Sequence, residues 1–145
     1  MINTPIVFLD LDGVARSNTK PNNYELCEKR VALLNRAFEL IGCDVVISSN
    51  WRLVYPLTFF NSIFKGRVVG KTRDLAYKNF GEHTRWHEIL DFMENHVGRS
   101  LHIIDDQSHH FPSGIKQLII CDEMRGFSME EFDAILERHN SRKNC

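Results

Sequence analysis

The sequence has no long apolar run, no excess of charge of one sign and no closely paired cysteines. Its apolar stretches are far too short to span a membrane. The formal net charge of −1 gives no overall attraction to nucleic acid or to a lipid surface. Cys27, Cys43, Cys121 and Cys145 form no C-x-x-C pair, which argues against a zinc ribbon and fits a reducing compartment. The N-terminus leads almost directly into a strand, so we expect a cytoplasmic protein without a signal peptide.

Repeats, linkers and low-complexity tracts are also missing. The 145 residues are therefore predicted to form one domain, 1–145. Apolar residues make up 43% of the chain and charged residues 26%, a balance typical of a globular protein with a core of its own.

Short apolar runs alternate with amphipathic segments along the whole chain. Strands are predicted at 6–11, 45–48, 68–69, 101–104 and 118–121, and helices at 25–41, 57–64 and 84–97. Gly42 and Gly98 are predicted to end the first and third helices, with Val97 facing the core, and Ser128-x-x-Glu131 is a capping box that opens a last helix. This alternation predicts an α/β fold, a Rossmann-like three-layer sandwich with a central parallel sheet.

Polar side chains follow three of these strands at the point where each strand ends. They are Asp10 and Asp12, then Ser48, Ser49 and Asn50, then Asp105 and Asp106. Ligands of a parallel sheet bind beyond the carboxyl ends of its strands. Two carboxylates two positions apart on a strand point to the same side, and such a pair repels itself unless a proton or a cation intervenes. A divalent metal and a phosphate are the usual ligands of such a site, although Asp-x-Asp-Gly alone also fits an ordinary turn.

In this order, the motifs resemble the haloacid dehalogenase (HAD) superfamily of phosphotransferases. Phe8-Leu9-Asp10-Leu11-Asp12-Gly13-Val14 matches the first motif of that family, Ser48 the second, and Ile103-Ile104-Asp105-Asp106 the fourth. A narrower likeness is carried by Ser48-Ser49-Asn50-Trp51-Arg52, by Arg85-x-x-Glu88 and by the acidic pair. These strings resemble the small HAD domains of multifunctional Swiss Army knife RNA-repair proteins.

The resemblance implies a phosphatase that works through an aspartyl-phosphate. Asp10 would be the nucleophile, and Asp12 would protonate the leaving oxygen and then activate water. Ser48 would bind a phosphoryl oxygen. Arg85 is the preferred cation for the phosphoryl group, with Lys71 as the alternative.

A Mg²⁺ site is implied by the same resemblance. Its ligands would be the Asp10 carboxylate, the Asp12 backbone carbonyl and one member of the acidic pair. Asp106 is preferred as the direct ligand, with Asp105 behind it.

The substrate is less defined by the sequence. Ser49, Asn50, Lys71 and Arg73 are candidate substrate contacts, and Arg52 either contacts phosphate or pairs with an acid.

The intervals where HAD enzymes carry a cap are short, so a capless or minimally capped, open site is expected. An open site favours polynucleotide ends, of RNA or DNA, or nucleotides. A phosphoprotein or small-metabolite phosphatase and a phosphate-binding module without turnover are the alternatives. We expect a monomer or small homo-oligomer and no membrane partner.

Overall fold

A computed structural model describes residues 4–16, 25–79 and 81–143. Strands and helices alternate along these residues. In chain order they are β1 Ile6–Leu9, α1 Glu28–Ile41, β2 Asp44–Ile47, α2 Leu57–Ile63, β3 Val68–Lys71, α3 Thr84–Met93, β4 Leu101–Asp105, β5 Leu118–Ile120 and α4 Met129–Lys143.

The strands form one parallel sheet in the order β3-β2-β1-β4-β5. β1 lies at the centre, and Leu9 at its carboxyl end is in register with Ile47 of β2 and Ile104 of β4. The chain builds the sheet outward from β1 to β3 and then returns to the other side of β1 for β4. The carboxyl ends of β1, β2 and β4 therefore meet at a switch point, where parallel sheets bind ligands.

Alternate residues of β1 face two separate cores. Val7 and Leu9 pack with apolar side chains of α1, α2 and α4. Ile6 and Phe8 pack on the opposite face with Ile89 of α3. Two helical layers thus cover the sheet, which confirms the predicted α/β three-layer sandwich.

β1 is shorter than the sequence pattern predicts, ending at Leu9 and not at Leu11. The Leu11 carbonyl accepts hydrogen bonds from the backbone N–H groups of Val14, Ala15 and Arg16, at 3.1, 2.8 and 3.2 Å. These bonds curl the chain into a turn directly after the strand. Asp12 therefore lies in a turn and does not continue the strand from Asp10.

α3 also ends early, at Met93, so the prediction that it continues to Val97 is wrong. The ring of His96 stacks on Phe92, and its Nδ1 lies 2.9 Å from the Phe92 carbonyl, which an added helical turn would have used. Val97 is 88% exposed and does not face the core. Gly98, with a φ of 90°, follows the loop and does not end the helix.

Two predicted helix boundaries do agree with the structure. Gly42 ends α1 in the left-handed conformation and donates its N–H to the Phe38 carbonyl at 2.8 Å. At the start of α4, Glu131 accepts hydrogen bonds from both the backbone N–H and the hydroxyl of Ser128, at 2.9 and 2.7 Å.

The segment between Ser48 and Arg85 belongs to the sandwich itself. It contains α2, which packs Phe60 into the core, and β3, which forms one edge of the sheet. No separate cap occurs among these described residues. The other interval where HAD enzymes can carry a cap lies between Val14 and β2. Residues 17–24 of that interval lie outside the described part of the chain.

Three of the four cysteines lie in the described part of the chain. Cys27, Cys43 and Cys121 are free thiols, and Cys145 lies outside the described residues. Among the residues that the structure describes, no helix has the length and apolar character needed to cross a bilayer.

Candidate active site

Three carboxylates converge at the carboxyl ends of β1 and β4. Asp10 directly follows β1, Asp105 ends β4 and Asp106 comes next in the chain. One oxygen from each of the three lies within 4.8 Å of the others. Asp10 is only 4% exposed and Asp105 is fully buried. We call Asp10, Asp105 and Asp106 the carboxylate cluster.

Gly13 permits this convergence. Its φ is +76°, and a Cβ placed on it would lie 2.1 Å from Oδ2 of Asp106. A side chain at this position would therefore be strained by the backbone and would displace Asp106. The tight turn that the sequence predicts brings the backbone against a cluster carboxylate.

Burial and mutual repulsion disfavour the charged forms of Asp10 and Asp105. Burial and the neighbouring Asp105 carboxylate raise the pKa of Asp10 well above its ordinary value, although Arg85 opposes this shift. Burial also raises the pKa of Asp105, again against the opposing charge of Arg85. Raised pKa values are expected of crowded, buried carboxylates, and a bound cation would oppose them. This arrangement could hold a divalent metal.

Arg85 is the cation that contacts the cluster. It lies in the first turn of α3, and its Nη1 is 3.0 Å from Asp105 Oδ2 and 3.3 Å from Asp10 Oδ1. Burial lowers the pKa of Arg85, but the carboxylates of Asp10 and Asp105 raise it further, so the net pKa lies above the ordinary value. Arg85 thus remains charged beside the cluster.

Asp12 stands beside the cluster with different partners. Its Oδ1 accepts hydrogen bonds from Arg16 Nη1 at 3.0 Å and from Trp51 Nε1 at 3.2 Å. The side chain is 46% exposed, in contrast to Asp10. The turn at Leu11 separates the two aspartates. Asp10 therefore contacts buried groups, and Asp12 is open to solvent.

Ser48 and Ser49 follow β2 on the opposite side of β1 from the acidic pair. Ser48 is fully buried and its hydroxyl has no hydrogen-bond partner among the described residues. A buried hydroxyl without a partner is costly, so it favours a ligand that supplies an acceptor. Ser49 instead accepts a hydrogen bond from the Trp51 N–H and caps the 3₁₀ turn Asn50–Leu53.

Arg52 pairs with an acid, one of the two alternatives that the sequence left open. Its Nη2 pairs with Glu88 Oε2 at 2.9 Å, and its Nε donates to the Thr72 carbonyl at 2.8 Å. Its Nη1 lies within 3.3 Å of three oxygens, those of the Ser48 and Ser49 carbonyls and of Asn50 Oδ1. All three nitrogens therefore contact protein groups, which favours pairing with an acid over direct contact with phosphate.

Lys71 and Arg73 have partners outside the carboxylate cluster. Lys71 Nζ donates to the carbonyls of Arg52 and Tyr55 at 2.9 and 3.1 Å. Arg73 forms a two-bond ion pair with Asp91, and its side chain is 68% exposed. The geometry thus places Arg85, and not Lys71, beside the cluster. A role for Lys71 and Arg73 in contacting a large substrate stays a prediction.

Sequence reasoning missed two residues that hold the site together. Arg16 is 5% exposed and binds Asp12 from four positions further along the chain, a spacing that could have indicated the pair. Gln107 donates its backbone N–H to Asp105 and its side-chain amide to Asp106, at 2.9 and 3.1 Å. No local signal points to Gln107.

Comparison with known proteins gives one match. A family model described as "HAD domain in Swiss Army Knife RNA repair proteins" matches residues 6–132. These residues include the carboxylate cluster, Ser48 and Arg85. No curated protein and no solved structure gives a significant match.

Proposed function

The chain belongs to the family of HAD domains in Swiss Army Knife RNA repair proteins, and on that premise we propose that it is a Mg²⁺-dependent phosphomonoester hydrolase. The observation that carries this proposal is the convergence of Asp10, Asp105 and Asp106 within 4.8 Å, beside Arg85. Membership of the family supports a HAD-type phosphatase in general. The metal, the covalent intermediate and the substrate are our proposals.

The carboxylate cluster fits a hard divalent cation. Its donors are all oxygens, which Mg²⁺ prefers. Both oxygens of Asp105 already accept hydrogen bonds, from Arg85 Nη1 and from the Gln107 N–H. This supports Asp10 and Asp106 as the direct ligands, with Asp105 behind them, and a carbonyl of Asp12 would add to the set. When bound, Mg²⁺ would supply the positive charge that keeps Asp10 ionised and offsets the charge of the phosphate.

Asp10 is the proposed nucleophile. Its carboxylate would attack phosphorus, and the bond between phosphorus and the ester oxygen would break as the aspartyl-phosphate forms. Asp12 would give a proton to the departing alkoxide. In the second step Asp12 would take a proton from water, whose oxygen attacks phosphorus, releases inorganic phosphate and restores Asp10.

Ser48 and Arg85 are the proposed phosphate-binding groups. The Ser48 hydroxyl, buried without a partner, would donate to a phosphoryl oxygen. Arg85 would neutralise charge on the same group in the transition state. Arg52 would act one step further away, because it holds the carbonyls of Ser48 and Ser49 in place.

The substrate is proposed to be a terminal phosphate of a polynucleotide or nucleotide. The described residues between Arg52 and Arg85 form no separate cap, which supports an open site in which the substrate supplies binding energy through its bulk. The family description supports RNA as a source of such ends.

A metal-dependence assay with a substrate panel tests the proposal. The purified chain would be assayed on an aryl phosphate, on RNA and DNA 3′-phosphates, on nucleotides and on phosphopeptides, with EDTA, Mg²⁺ or Ca²⁺ present. We expect no turnover in EDTA, recovery with Mg²⁺, and inhibition by Ca²⁺, whose larger coordination number would occupy both oxygens of Asp10. Full activity in EDTA would contradict the metal site. Turnover of phosphopeptides alone would favour the phosphoprotein alternative.

A further inference from the structure

An open cavity lies directly beside Asp12. It has a volume of 390 Å³ and is lined by Asp12, Asn50, Trp51, Val54 and Tyr55. This volume lies in the range of small-molecule sites. A larger cavity, of 750 Å³, lies near Thr4 and Ser100, which precede β1 and β4. It is at the opposite end of the strands from the carboxylate cluster, so it cannot receive a group attached to the reacting phosphate.

The smaller cavity lies between the segments that follow β1 and β2. Trp51 Nε1 donates to Asp12 Oδ1 at 3.2 Å, so the cavity wall is joined to the first motif. The same wall follows Ser48 and Ser49 through the 3₁₀ turn Asn50–Leu53. The proposed function places the leaving oxygen at Asp12. The group attached to that oxygen must therefore lie next to this cavity.

The lining of the cavity is largely aromatic and apolar. The rings of Trp51 and Tyr55 lie 5.5 Å apart, and Tyr55 stacks on Phe59 with ring centroids 4.2 Å apart. Phe59 thus supports Tyr55 from behind. Val54 presents an apolar side chain that is 75% exposed. Such walls suit a flat aromatic group.

Asn50 adds a polar group to this apolar lining. Its Oδ1 accepts a hydrogen bond from Arg52 Nη1 at 3.3 Å, which orients the side-chain amide with its NH₂ as the remaining donor. A nitrogen or carbonyl at the edge of a heteroaromatic ring could accept from that NH₂. A plain phenyl ring could not.

We propose that this cavity binds the nucleobase of the leaving nucleotide. The inference rests on the proposed function, because it takes Asp12 to be the acid that protonates the leaving oxygen. Val54 and Tyr55 would pack on the faces of the base and Asn50 would contact its edge. The cavity would make the enzyme prefer nucleotides over phosphates that lack a base.

Matched substrates test the preference. The value of kcat/KM would be measured for adenosine 3′- and 5′-monophosphate, for ribose 5-phosphate, which lacks the base, and for phosphotyrosine. We expect at least one adenosine monophosphate to exceed ribose 5-phosphate by about tenfold, the range of base stacking on aromatic side chains. Equal values for nucleotide and ribose 5-phosphate would overturn the proposal. Phosphotyrosine has a better leaving group than either and serves as the positive control for turnover.

Variants locate the preference in the cavity. Tyr55→Ala should reduce the ratio of nucleotide to ribose 5-phosphate efficiency by about fivefold. Val54→Ser should reduce it by about threefold, and this exposed position keeps the test valid if Tyr55→Ala fails to fold. Val97→Ser, at an exposed valine that follows α3, is the matched control and should keep the wild-type ratio. An unchanged ratio in Val54→Ser and Asn50→Ala would contradict the assignment.

A binding measurement separates this inference from the proposed function. Titration calorimetry in EDTA would compare adenosine 3′-monophosphate with ribose 5-phosphate on wild type and Val54→Ser. If the chain hydrolyses none of the substrates, the proposed function fails. The cavity assignment then stands only if the nucleotide still binds more tightly than ribose 5-phosphate and Val54→Ser removes that difference. Equal binding of the two ligands would overturn it.

Discussion

The carboxylate cluster and the Arg52–Glu88 pair are two buried charged regions that share one helix. Arg85 and Glu88 lie three positions apart on α3, and each reaches one of the regions. Around Arg52 every guanidinium nitrogen has a protein acceptor, and Glu88 accepts a second hydrogen bond from the Leu75 N–H at 2.9 Å. In the cluster, Arg85 contacts Asp10 and Asp105, and burial raises the pKa of both carboxyl groups.

The difference suggests two roles. The Arg52–Glu88 pair stabilises the fold, and the carboxylate cluster is suited to binding a ligand. In a buried ion pair whose hydrogen bonds are all formed, the two charges compensate each other and no polar atom lacks a partner. A buried cluster with surplus charge and perturbed pKa values is a candidate for binding or catalysis, since a ligand can remove the imbalance. Substitutions in the two regions should therefore act on different properties, stability in one and turnover in the other.

The largest effect is expected for Asp10→Asn. This change keeps the size of the side chain but removes the attacking charge, so turnover of an aryl phosphate should fall by about three orders of magnitude or more. Stability without metal should not fall, because one repelling carboxylate is lost. Asp133→Asn, at an exposed position on α4, is the control. Retention of more than about a tenth of the activity would contradict Asp10 as nucleophile.

Glu88→Gln should act on stability. The change leaves the Arg52 guanidinium buried without its counter-charge, and removing one partner of a buried pair costs about 3 to 5 kcal/mol. Urea denaturation would measure the free energy of unfolding, with exposed Glu82→Gln as the control. A loss of less than about 1 kcal/mol would show that the carbonyls around Arg52 suffice, and the contrast between the two regions would weaken.

Gly13→Ala should act on metal binding. Gly13 and Gly66 have φ values of +76° and +79°, so alanine at either position should cost about 1 to 2 kcal/mol of stability. Only at Gly13 would the new Cβ meet Asp106, whereas Gly66 has open space. Mg²⁺ affinity, measured by calorimetry, should therefore fall by about tenfold in Gly13→Ala and stay unchanged in Gly66→Ala. Equal affinities would argue against Asp106 as a ligand.

A smaller, pH-dependent effect is expected at the other end of β4. His102 is fully buried, and its Nδ1 lies 2.6 Å from Arg138 Nη1. Burial and the charge of Arg138 lower the pKa of His102 to about 3, from an ordinary value of 6.5. His102 is therefore harder to protonate in the folded state than in the unfolded state. The stability that His102 contributes is complete above about pH 6.5 and is lost as the pH falls toward 3.

Comparison with a variant isolates this contribution from that of the carboxylates. The stability advantage of wild type over His102→Gln should shrink by about 2 kcal/mol between pH 7 and pH 5, measured by urea denaturation. A constant difference between wild type and His102→Gln would show that His102 titrates normally in the folded protein.

The elements best predicted from the sequence are those whose cause is local. The four consecutive apolar residues of β1 are enough to predict a buried strand without knowledge of its neighbours. Gly42 ends α1 because it adopts the left-handed conformation. The early end of α3 was not predictable from periodicity. It depends on a ring stacking of His96 on Phe92 that competes with the next helical turn.

By itself, the sequence determined the fold class and the order of the polar strand ends, because apolar periodicity and strand-end residues are written along the chain. Tertiary structure alone decided which of those polar residues share a site. Glu88, 36 positions from Arg52, completes that arginine's contacts. Arg85 reaches carboxylates of β1 and β4. The turn at Leu11 separates Asp12 from Asp10. Such assignments depend on distances between strands that lie far apart in the chain, and only the packed sheet sets those distances.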